Sequence, residues 1–138
     1  MKSRHILVVL GTIALFTGLT AGVQASNHAE REGKPMVQVT VPKLTMPEQT
    51  GKFLFDESCA SCHGTNAAGQ DGVAPPLVHI IYEPNHHADV SFQMAAQRGV
   101  RAHHWPFGDM PPVEGVTSAE VKRITQYVRA VQRANGIQ

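Results

Sequence analysis

The chain has 138 residues, is 42% hydrophobic and 17% charged, and carries a formal charge of +1. That length allows one small domain with a modest core, and a near-neutral chain without a basic run offers nucleic acid no electrostatic footprint. Its 2 cysteines cannot supply the second pair that a four-cysteine zinc site would need.

Met1-Lys2-Ser3-Arg4 is a short cationic start, and an apolar run from Ile6 to Leu19 follows it. Val23-Gln24-Ala25 then offers small side chains where a signal peptidase reads. The run is shorter than the ~20 residues of a comfortable membrane span. Residues 1–25 are therefore expected to be a cleaved export signal rather than an anchor, and the protein to be periplasmic. Of the 12 basic and 11 acidic residues, Lys2 and Arg4 leave with such a signal, and the remaining chain stays close to neutral at about −1.

Residues 26–46 read as an N-terminal arm. Val37-Gln38-Val39-Thr40-Val41 alternates as a half-buried strand would, but so short a run between prolines suits an extended segment better. The domain proper is expected over 47–138.

Thr45-Met46-Pro47-Glu48 predicts a helix start. Thr45 caps, Pro47 suits an early helical position, and Glu48 completes a capping box. The helix is expected to run to about Glu57. Gly51 inside it is costly unless another backbone must come close, and Phe55 lies one turn later on the same face.

Cys59-Ala60-Ser61-Cys62-His63 follows that helix and uses both cysteines. Two thiols at this spacing can add across the two vinyl groups of one haem, and a histidine in the next place can bind its iron. A thiol–disulfide redox pair or half of a zinc site share the C-x-x-C spacing. Neither needs the histidine, and no βαβ pattern surrounds the pair. Cys59 and Cys62 are thus expected to carry one covalently attached haem c, with His63 as an axial iron ligand.

Ala88 to Arg98 reads as a shorter helix with Asp89 as its cap and Gly99 after its last turn. Thr117-Ser118-Ala119-Glu120 is a second capping box. It opens a helix with Val121, Ile124, Val128 and Val131 on one stripe and Tyr127 beside it. Arg129 and Arg133 suit the negative end of its dipole, and Gly136 the stop. The partner for that apolar stripe is expected to be the helix at 47–57. The rest is loop, punctuated by Pro75-Pro76, Pro84, Pro106 and Pro111-Pro112. Three to four helices with long connections make an all-α domain wrapped around a cofactor.

In this order of elements the chain resembles the class I c-type cytochromes, specifically single-haem bacterial members, over about residues 47–136. The resemblance is carried by Gly51 and Phe55, by Cys59-x-x-Cys62-His63-Gly64 and by Ala74-Pro75-Pro76-Leu77. Gly108-Asp109-Met110-Pro111-Pro112 and a terminal helix with Tyr127 complete it. It implies a cytochrome c fold in which Gly51 and Tyr127 form the close contact between first and last helices. It also implies that Met110 is the second axial ligand, and that a proline carbonyl, from Pro75 or Pro76, accepts a hydrogen bond from His63. Met36, Met46 and Met94 fit the second ligand less well. Leu77, Ile80, Ile81, Trp105 and Phe107 are expected to wall the haem pocket.

The expected function is that of an exported monohaem carrier, not an enzyme, passing single electrons between redox partner proteins by outer-sphere transfer. The competing readings are a haem enzyme or gas sensor with an open iron, and a subunit of a larger oxidoreductase. In the latter, the arm would mediate any loose association with a complex or a membrane. His28, His63, His79, His86, His87, His103 and His104 include two adjacent pairs, and histidine is a common copper and zinc ligand. Neighbours in a chain point different ways, so the pairs are expected to be loop or haem-edge residues rather than ligands of a second metal or replacements for Met110.

Overall fold

The computed structural model describes residues 33–138; the expected export signal, the start of the arm and His28 lie outside the described residues. Among the described residues there are four helices and no strand: α1 (Met46–Ser58), α2 (Ala60–His63), α3 (Asp89–Arg98) and α4 (Ser118–Ala134). Single turns of 3₁₀ helix lie at Thr65–Ala67 and Ile80–Tyr82. This is the all-α architecture expected. None of these helices is long and apolar enough to cross a membrane.

Both capping boxes form. The Glu48 carboxylate accepts from the backbone N–H and the hydroxyl of Thr45, each at 2.7 Å. Glu120 accepts from the same two groups of Thr117, each at 2.8 Å, while Glu120 N donates back to Thr117 Oγ1 at 3.3 Å. These contacts satisfy donors that a helix start would otherwise leave unpaired. The middle helix begins differently from expectation. Ala88 occupies the cap position and Asp89 is the first helical residue. Its carboxylate accepts from Arg129 Nε at 2.8 Å instead of capping the backbone.

The core lies where α1 crosses α4. Phe55, Tyr127, Val128 and Val131 are fully buried, with Val121 and Ile124 nearly so. Burying each such side chain stabilises the fold by roughly 1.5–3 kcal/mol. The Phe55 and Tyr127 rings stand 5.6 Å apart at 54°. Gly51 makes the crossing feasible: a Cβ there would stand 2.0 Å from the Arg123 carbonyl oxygen and 2.9 Å from Tyr127 Cβ. The expected contact of Gly51 with Tyr127 is present, together with the Arg123 backbone.

The described part of the arm bends over residues 33–37, is irregular from there to the first helix, and has no strand partner. It packs on the domain all the same. Val37, Val39 and Leu44 lie against the core, and Met36 N and Val37 N donate to Ala68 O at 3.1 and 3.2 Å. Asn135 fixes the middle of the arm, exchanging hydrogen bonds with Thr40 N at 3.0 Å and Thr40 O at 2.8 Å.

Candidate metal centre

Helix α1 ends at Ser58, and Cys59 N still donates to Phe55 O at 2.8 Å. The chain then turns through α2, so Cys59, Cys62 and His63 follow one another on a single tight turn closed by His63 N to Cys59 O at 2.9 Å. Gln70 clasps this turn from outside. Its Nε2 donates to the carbonyls of Ser61 at 2.6 Å and Cys62 at 3.0 Å, with Ala60 at 3.3 Å. Nothing in the sequence pattern singled out Gln70, because a lone glutamine carries no spacing signal.

His63 is buried, and its Nδ1 lies 2.9 Å from Pro75 O. A carbonyl can only accept, so Nδ1 carries the proton and Nε2 is left with a free lone pair. Of the two eligible prolines, the structure selects Pro75. Burial holds the His63 imidazole below its ordinary pKa, against the opposing pull of that hydrogen bond. The ring is neutral near pH 7, as a ligand must be.

The cysteines are free thiols, Cys59 half-buried and Cys62 exposed. Burial, and then the charge of Cys62, pushes Cys59 up to about 11. A thiol–disulfide catalyst needs the opposite shift, because its nucleophile is the thiolate. Neither cysteine joins a set of three metal-ligating side chains among the described residues.

Met110 is half-buried and its backbone is pinned on both sides. It exchanges hydrogen bonds with Val100, each at 2.9 Å, in an isolated antiparallel bridge. The loop between them is braced by Ala102 N to Asp109 Oδ1 at 2.8 Å. Met46 and Met94 are exposed instead. Within the loop, Trp105 stacks on Phe107 at 6.0 Å and meets the His79 ring edge-on at 5.1 Å. Leu77, Ile81, Trp105 and Phe107 are half-buried, whereas Ile80 is 56% exposed.

Arg129 departs from its expected role. It is not an exposed partner of the helix dipole but a buried guanidinium. Besides Asp89 it donates to Tyr82 O at 2.6 Å, to Gln132 Oε1 at 2.7 Å and to His87 O. Gln132, also buried, donates from Nε2 to Leu77 O at 2.7 Å. Two polar side chains of α4 thus anchor the whole connection from Leu77 to Asp89, which an apolar stripe alone would leave loose.

The histidine pairs converge. His86 and His87 both approach Ile81 O through Nδ1, at 2.8 and 2.6 Å. His104 comes up from the other loop, with ring centroids 5.2 Å from His86 and 5.4 Å from His87. Adjacent residues do share a direction here, because one carbonyl gathers both rings.

The cytochrome c family model matches residues 48–132, and the chain belongs to that family. No curated protein matches it. Membership makes it a haem-binding cytochrome of the electron-transfer kind, with a covalently held haem c and cysteines at the spacing such attachment uses. The residues present fit the group. Two unpaired thiols precede a neutral, oriented imidazole, and Trp105 Nε1 is buried without a hydrogen-bond partner among the described residues. A donor of that kind suits a cofactor bearing carboxylates.

Proposed function

We propose that the protein is an exported, monohaem electron carrier with no substrate chemistry of its own. Cys59 and Cys62 would hold the haem, and His63 and Met110 would be the axial ligands. The observation that carries this reading is the His63 ring, held by Pro75 O at 2.9 Å with its other nitrogen free.

Haem supplies an iron that exchanges one electron between ferrous and ferric states. The chain does the rest. The Pro75 carbonyl orients His63 and strengthens it as a donor. The Val100–Met110 pairing and the prolines at 111 and 112 stiffen the loop that would present a thioether. A soft, neutral thioether favours the ferrous state and so raises the reduction potential. Two protein ligands would deny small molecules a place on the metal, which would leave outer-sphere transfer to a partner protein.

Replacing Met110 with Ala tests this. The holoprotein variant should fall in reduction potential and bind carbon monoxide. If it kept the parent's potential and refused the gas, Met110 would not be a ligand.

A further inference from the structure

The imidazoles of His86, His87 and His104 each bring a nitrogen within 4.8 Å of the others. They come from two separate connections, and His63 is not among them. We propose that His86, His87 and His104 form a second, surface site for a transition-metal ion, copper(II) by preference, distinct from the iron centre.

Two observations beyond proximity support it. The first is orientation. His86 and His87 give Nδ1 to the same Ile81 carbonyl, at 2.8 and 2.6 Å. That contact fixes the tautomer and leaves Nε2 of both rings as a lone-pair donor, the arrangement in which metal-bound histidines are usually held. The second is anchoring. The Arg129 guanidinium holds the His87 carbonyl from the buried face of α4, while the Val100–Met110 bridge and Asp109 brace the loop bearing His104. Both ligand-bearing segments are therefore positioned by the fold. Only the side chains need to adjust.

Two nitrogens at about 2.0 Å from one ion stand at most about 4 Å apart, so the rings must draw inward to share one. His104 is exposed and can turn toward the pair, while His86 and His87 stay on the Ile81 carbonyl. His103, whose ring lies 4.2 Å from that of His104, is held aside by Arg101 O at 2.7 Å.

The donor set decides the class of ion. Three neutral imidazoles, with no carboxylate in the group, are unsuited to calcium or magnesium and suit copper, zinc or nickel. Among divalent first-row ions at a nitrogen site, copper(II) binds most tightly.

The test uses haem-loaded protein, so that His63 is engaged, in a His28→Ala background that removes one competing imidazole. Copper(II) is added as the salt, the stoichiometry is measured after dialysis, and the affinity by competition with a chelator. One copper per chain is expected, with a nitrogen-rich copper EPR signal and weaker binding of zinc. His86→Ala and His104→Ala, both at exposed positions, should each weaken copper binding by at least about tenfold. No stoichiometric copper, or unchanged affinity in both variants, would overturn the proposal.

Discussion

Gly99 and Met110 meet backbone to backbone: a Cβ on Gly99 would stand 2.4 Å from the Met110 carbonyl oxygen. Gly99 also has φ +74° and ψ −178°, a region that only glycine visits readily. The end of α3 and the start of the Met110 segment are thus fitted to each other at a single residue. Gly99→Ala should cost about 1–3 kcal/mol from strain alone and shift the loop beneath Met110. The measurement is chemical denaturation of the holoprotein, with carbon monoxide binding followed in parallel. The variant should unfold at lower denaturant and bind the gas more readily than its parent.

Gly51 sets the other close approach. Because a Cβ would meet the Arg123 carbonyl oxygen at 2.0 Å, α1 and α4 cannot keep their separation in Gly51→Ala. Overpacking of this kind costs about 1–3 kcal/mol, and the upper end is expected because the obstacle is backbone. Thermal unfolding of the holoprotein should show the loss. A variant as stable as its parent would mean that the helices separate freely.

Arg129→Met keeps the length of the side chain and removes its donors. The carbonyls of Tyr82 and His87 then lose a charged partner, at a cost of about 3 kcal/mol. Hydrogen exchange should rise between Leu77 and Asp89 and stay near the parental rate in α1. Uniformly raised exchange would indicate global destabilisation without a local anchor.

Acid should weaken both helix starts. Hydrogen bonds from the Thr45 and Thr117 backbone N–H groups, and then from their hydroxyls, hold Glu48 and Glu120 below their ordinary value of 4.5. Groups whose folded pKa is depressed stabilise fully above the unfolded value and lose that contribution as pH falls through the folded one. Unfolding free energy should therefore decline below about pH 4.5. The slope should be shallower in Glu120→Gln, whose amide oxygen still accepts without titrating.

Much of this fold was legible because its signals are local. Two capping boxes, one stripe on α4 and one C-x-x-C-H each declare themselves within a few residues. Gly51 was readable as a close approach because glycine is otherwise costly inside a helix. Arg129, Gln132 and Gln70 were not, since their partners are carbonyls distant in sequence, and carbonyls leave no mark in composition. The histidine cluster escaped for a related reason. Its convergence depends on Ile81 O gathering two rings, and adjacency alone argues against it. Asp89 fits a cap by residue type, but Arg129 drew its carboxylate away.

The most direct test is the absorption spectrum of the holoprotein, oxidised and reduced, with and without carbon monoxide. The account predicts a low-spin spectrum with the weak near-infrared band of methionine-ligated ferric haem, unchanged by the gas. A high-spin spectrum that shifts on adding carbon monoxide would contradict it and identify an open iron.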